Sequence, residues 1–148
     1  MIPYGKQSID NKDIDFIIDV LKSDFLTQGP QVPIFEENVS EICGSKYSTA
    51  FNSATSALHA SCLALGVGKN DTVWTSPISF VASANCAIYC GANIDFIDID
   101  ENTFNIDLNK LKEKLELASQ ANKLPKILIP VHMAGQSCDM EEISFLSK

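Results

Sequence analysis

Residues Asp71–Ile99 read "DTVWTSPISFVASANCAIYCGANIDFIDI", and this run decides the fold. It opens on the short strand pattern "DTVWTS", turns through Pro77, and continues as a helix expected from about Phe80 to Cys90, closed by Gly91. A second strand, "NIDFIDI", follows at once. Strand, helix and strand in such close order form the repeating unit of a parallel sheet.

The same rhythm extends outward on both sides. Upstream, "KYSTAFN" at 46–52 is expected to be a strand leading into a helix that runs to Leu65 and is closed by Gly66. Downstream come an amphipathic helix from about Asp107 to Ala121, a buried strand "KILIPVH", and a helix opening at Asp139 and running to Lys148. Four strand–helix units predict an α/β fold with a mostly parallel sheet, right-handed crossovers and helices on both faces.

Ahead of these units the pattern is helical only. Asp10 is placed to cap a helix through about Leu21, with Ile14, Ile17, Ile18 and Leu21 at helical spacing. After the turn "SDFLTQGP", the stretch "QVPIFEENVSEICG" sets Phe35, Val39 and Ile42 on one face and stops at Gly44. The chain is therefore expected to divide into an N-terminal helical segment, 1–45, and an α/β domain, 46–148. The last helix has no stop signal before Lys148, so that domain reads as incomplete, the N-terminal fragment of a larger one.

Composition narrows the function classes. The 148 residues match about one domain, and 45% apolar with 20% charged is ordinary for a globular chain. Net charge is −8, and the eleven basic residues are all lysine. Without arginine the chain lacks the planar fork suited to phosphate and base recognition, which argues against nucleic acid as a partner. A bound phosphate must then rest on backbone N–H groups and hydroxyls at a helix start, or on a partner segment.

The five cysteines, Cys43, Cys62, Cys86, Cys90 and Cys138, are odd in number and form no C-x-x-C pair, as expected of buried thiols in a reducing cytosol. Cys86 and Cys90 share a helix face, but no second pair supports a metal, and none is assigned. "MIPYGKQSID" lacks a basic and an apolar leader region, and no run approaches about eighteen apolar residues, so the chain reads as cytoplasmic with no membrane partner.

In open α/β sheets ligands bind where strands hand over to helices. The loops Asn52–Ser56, Ser76–Phe80 and His132–Gln136 qualify by position. In the first, Ser53 or Thr55 is placed to cap, while Ala54, Thr55 and Ser56 leave the opening N–H groups of the helix free for an anion. An ordinary capped helix with small packing residues gives the same pattern. It is not a Walker A loop, because no G-x-x-x-x-G-K-[ST] is present. In the second loop, Phe80 is placed either to stack on a planar ring or to join the core. His132 closes an apolar strand, as a general base or as a structural histidine bonded to backbone. His59 reads as structural.

In order and spacing these loops resemble the DegT/DnrJ/EryC1/StrS sugar aminotransferases. The matching pieces are "DFLTQGPQVPIFEENV", "NSATSALH", "SPISFVASANCAIYCGANIDFIDID" and "IPVHMAGQSCDM", and the resemblance covers the chain. It implies the large domain of the aspartate-aminotransferase-like fold and pyridoxal 5′-phosphate as cofactor. Carried over by position, Ala54, Thr55 and Ser56 would hold the cofactor phosphate and Phe80 would stack on its ring. Tyr4 and the turn Asp24, Phe25, Leu26 and Thr27 would lie against a nucleotide-sugar. His132 and Gly135 match a family signature, and neither is given a catalytic role. "IPYGKQSID" and "LKSDFLTQGP" narrow the resemblance to members that aminate C4 of a UDP-linked 4-keto-6-deoxy-N-acetylhexosamine with glutamate, as in pseudaminic-acid formation. Such members are homodimers with sites between subunits.

The departure is equally specific. The family's Schiff-base lysine lies in S-x-H-x-x-K, and the aspartate facing the pyridine nitrogen in an E-D-A/S-x-H-like segment; this sequence has neither. The resemblance thus implies no catalytic residue within the chain and an inactive fragment. A C3 sugar aminotransferase, a sugar dehydratase using the same cofactor and a non-catalytic truncated remnant remain open.

Overall fold

The computed structural model describes residues 5–148; Tyr4 lies outside them. The chain divides between Ala50 and Phe51 into two compact units.

In the first unit, α1 (Asn11–Lys22) starts from a reciprocal cap. The Asp10 carboxylate accepts the N–H groups of Lys12 and Asp13 at 2.8 and 3.1 Å, and the Asp13 carboxylate accepts that of Asp10 at 2.9 Å. Ile14, Ile17, Ile18 and Leu21 keep the expected spacing and are 39–62% exposed. Helix α2 (Gln31–Cys43) ends on Gly44 in the left-handed region, φ 62°.

The expected strand at 46–52 is absent: no strand is assigned there. A strand requires a neighbouring strand for its N–H and C=O groups, whereas the Ala50 N–H is taken by the Glu36 carboxylate at 2.7 Å.

The second unit follows the α/β rhythm. Helix α3 (Ala54–Ala64) leads to β1 (Thr72–Thr75), α4 (Ala82–Tyr89), β2 (Asn93–Phe96), α5 (Leu108–Gln120), β3 (Ile127–Ile129), a 3₁₀ turn at Met133–Gly135, and α6 (Met140–Leu146). Within the sheet all pairing is parallel, in the order β2-β1-β3. Among the described residues, three strands therefore stand where four were expected. Several boundaries also move, among them the end of β2, which stops at Phe96 rather than Ile99. Helix α4 begins at Ala82, not Phe80; β3 stops before Pro130, which has no N–H to give a ladder; and α6 ends at Leu146, capped by Ser147.

Neighbouring residues of the central strand show that both faces of the sheet are covered. Val73 packs with Cys62, Cys86 and Ala87 from α3 and α4, and Trp74 with Leu111 and Ile143 from α5 and α6. Successive strand residues point to opposite faces, so one helix pair lies on each side. At the β2 edge, Lys114 reaches Asp95 at 2.7 Å and lies 4.9 Å from the centre of the Trp74 ring. At the β3 edge, Ile127, Leu128 and Ile129 are all half-buried.

Burial, followed by the neighbouring Cys86 thiol, pushes the Cys62 thiol up to about 11, consistent with an unreactive core thiol. Four surface carboxyls shift the other way, one of them Asp95, whose own burial opposes the shift and is outweighed by Lys114 and the Phe96 N–H. Asp71 is lowered by the Gly68 N–H and by Lys126, Asp98 by Lys110, and Asp100 by the N–H groups of Thr103 and Asn102. Folded carboxyls below their unfolded value of 3.8 add stability above that value and lose it as pH falls through the carboxylate range. The urea midpoint is expected to fall on acidification below about pH 5, less steeply in a D71N/D98N/D100N variant.

Candidate functional site

The strand order places a switch point at β1. The chain leaves β1 through α4 to β2 on one side, then crosses back through α5 to β3 on the other. Connections diverging from adjacent carboxyl ends open a crevice there, and the loops after β1 and β3 flank it.

At the end of β1, two hydroxyls behave differently. Thr75, fully buried, donates from Oγ1 to the Ile129 carbonyl at 2.9 Å and ties β1 to β3. Ser76, 1% exposed, has a buried Oγ with no hydrogen-bond partner among the described residues. Leaving such a group unpaired costs roughly 1–3 kcal/mol. Thr75→Val is therefore expected to destabilise the chain by about 1–3 kcal/mol by orphaning the Ile129 carbonyl, whereas Ser76→Ala does not lower stability. Urea titration of both variants checks the contrast.

Helix α3 starts with Ser53 as its cap, and Ser53 Oγ accepts the Ser56 N–H at 3.2 Å and lies 3.0 Å from Ser56 Oγ. The Ser56 amide is thus committed to the cap, a correction to the expectation that it stands free. The Ala54 and Thr55 amides have no partner among the described residues. Two open N–H groups at the positive end of an eleven-residue helix, beside the Thr55 and Ser56 hydroxyls, suit a phosphate.

Phe80 is 74% exposed, two residues ahead of α4 rather than in its first turn, and its carbonyl accepts the Ser83 N–H at 3.0 Å. The aromatic face is open rather than core. His59 packs edge-on against Tyr89 with ring centres 5.4 Å apart. His132 Nδ1 accepts the Cys138 N–H at 3.1 Å, which leaves any proton of the neutral ring on Nε2.

The turn Asp24–Thr27 belongs to the first unit, with Phe25 and Leu26 62% and 66% exposed. It is tight: a Cβ on Gly29 would meet the Phe25 carbonyl oxygen at 2.9 Å, so only glycine closes it without a shift. Sequence reasoning gave two residues of the second unit no role of their own, although Ser76 opens one of the candidate loops. Ser76 looks like a strand-end serine, and Asn105 sits in the turn-rich run "ENTFNID", whose polar cluster signals a loop but not its partners.

These features define a parallel α/β domain with two open amides at the start of α3 and an unpaired hydroxyl at the end of β1. The chain belongs to the DegT/DnrJ/EryC1/StrS aminotransferase family, whose model matches residues 7–148. It is 43% identical over all 148 residues to a UDP-4-amino-4,6-dideoxy-N-acetyl-β-L-altrosamine transaminase of Campylobacter jejuni, covering 38% of that protein. The structure matches PseC of Helicobacter pylori, an aminotransferase in pseudaminic-acid biosynthesis, with TM-score 0.83 at 33% identity over 97% of this chain and 38% of that one. It also matches the Streptococcus pneumoniae protein Spr1654 in its PLP form, with TM-score 0.85 at 28% identity over 98% and 36%. The chain thus spans little more than a third of the length of these relatives.

The fold is that of the N-terminal part of the PLP-dependent sugar aminotransferases, and the cofactor of the family is pyridoxal 5′-phosphate. The loop edge fits this group: two open amides and two hydroxyls match a phosphate, and an orphaned buried hydroxyl stands at the switch point. Among the described residues, no helix is long and apolar enough to cross a membrane.

Proposed function

We propose that these residues are the N-terminal part of an enzyme that transfers an amino group from glutamate to C4 of a UDP-linked 4-keto-6-deoxy-N-acetylhexosamine, in pseudaminic-acid-type biosynthesis. The observation that supports this reading most is the 43% identity to the Campylobacter jejuni transaminase over every residue of the chain. Pyridoxal phosphate, when bound, supplies the electron-withdrawing ring on which nitrogen is exchanged between an amine and a ketone.

The residues of this chain bind and orient. The amides of Ala54 and Thr55 and the hydroxyls of Thr55 and Ser56 anchor the phosphate. Phe80 offers a flat apolar face to the ring, and Tyr4 with Asp24–Thr27 borders the nucleotide-sugar. No lysine here lies in S-x-H-x-x-K, so in this reading the catalytic lysine and the aspartate at the ring nitrogen come from the rest of the whole protein. That protein acts in the cytoplasm as a homodimer.

The test is an assay of the whole gene product with glutamate and the UDP-4-keto sugar. Release of 2-oxoglutarate with nitrogen at C4 of the product is expected. Amination at C3, or dehydration without glutamate consumption, would overturn the reading. The 148-residue chain alone is expected to give no turnover.

A further inference from the structure

We infer that Asn105 is a positioning residue that holds the loop His132–Ser137 in its ligand-facing conformation, an inference that rests on the aminotransferase reading. Asn105 is distant in sequence from everything its side chain holds. It is 5% exposed, and its amide uses both ends. Nδ2 donates to the carbonyls of Gln136 and Ser137, each at 3.2 Å, while Oδ1 accepts the Met133 N–H at 2.9 Å. One side chain thus spans the loop from its first turn to its exit.

The remaining bonds of the loop show why it needs an outside clamp. Gly135 and Gln136 donate back to His132 and Met133 at 3.1 and 3.0 Å, and the Cys138 N–H closes on His132 Nδ1 at 3.1 Å. Ala134 is held at φ 51°, a left-handed conformation that a residue with a Cβ adopts at a cost. Strain of this kind persists only where the surroundings over-determine it, and it collects at ligand clamps. Residues 134–137 are exposed apart from these bonds, so no packing holds them in place.

Asn105 is itself fixed. The Ile99–Ile106 bridge and the Asp100 N–H bond to the Asn105 carbonyl at 2.9 Å close a small hairpin. Within it, the Asp100 carboxylate accepts the Asn102 and Thr103 N–H groups at 3.0 and 2.8 Å. A rigid turn after β2 thereby sets the loop after β3, which flanks the switch point at the carboxyl end of β1. Asn105 touches no reacting group in this proposal; it acts through the loop.

The whole gene product carrying Asn105→Ala or Asn105→Asp tests this at a temperature where each variant is fully folded. In Asn105→Ala, amide exchange at Met133 and Cys138 is expected to accelerate at least tenfold, with the β1 and α5 amides unchanged. The kcat/KM for the keto-sugar is expected to fall at least tenfold per folded molecule. Asn105→Asp keeps the acceptor for Met133 and loses the donors, so Met133 protection returns while the activity loss remains. Unchanged exchange at Met133 and Cys138, or wild-type kcat/KM per folded molecule, would overturn the proposal. Should the wild type show no aminotransfer at all, the functional reading fails, and the exchange result alone decides whether Asn105 holds the loop.

Discussion

Ala54→Asp is expected to keep its helix and lose the cofactor phosphate. Position 54 is the first residue of α3, exposed, with an amide free of partners among the described residues. A carboxylate in the first turn of a helix favours the helix by about 0.3–1 kcal/mol, so the thermal midpoint should hold or rise slightly. The same charge set about 4 Å from a bound phosphate is opposed by roughly 4 kcal/mol at an effective dielectric of about 20. Since about 1.4 kcal/mol is a factor of ten, retention of pyridoxal phosphate should drop by at least two orders of magnitude. Equilibrium dialysis of the whole protein, beside a melt, reads both effects. Undiminished retention would move the phosphate away from α3.

Leu111→Ala should produce the largest loss of stability. Leu111 is fully buried, on α5, in the cluster of Trp74, Ile97, Ile106, Cys138 and Ile143. Truncation there removes the three heavy atoms beyond Cβ and leaves a cavity, at about 2–5 kcal/mol, a large share of the roughly 5–15 kcal/mol that holds a domain together. Trp74 is the single tryptophan and packs in the same cluster, so its fluorescence in a urea titration reports the site directly. Exposed Leu117 on the same helix, 61% accessible, is the control and should change stability by less than about 0.5 kcal/mol.

What was legible in the sequence is what is local in the chain. The Asp10 cap, the stop at Gly44 and the cap of α3 each depend on residues within four positions of one another, and the structure has them. The strand–helix–strand unit at 71–99 was legible because strand period, Gly91 and strand period follow in one run. The strand expected at 46–52 failed for the opposite reason. Its Tyr47, Thr49 and Phe51 describe a segment able to pair, and pairing is settled elsewhere. Asn105 was missed on the same ground: its partners lie 28–32 residues away, and no spacing rule reaches that far. For the helix tip, sequence named the capping candidates but not the division of labour, since only the folded turn brings Ser53 onto the Ser56 amide.

The two edges of the sheet differ in kind. Outer strands invite pairing unless charge or cover blocks them. On β2, Asp95 and Lys114 form an ion pair at 2.7 Å and lay a charged strap along that side, whereas β3 is Ile-Leu-Ile with no charge of its own. The sheet is therefore lopsided: the β2 side carries charge that discourages pairing, and β3 itself carries none.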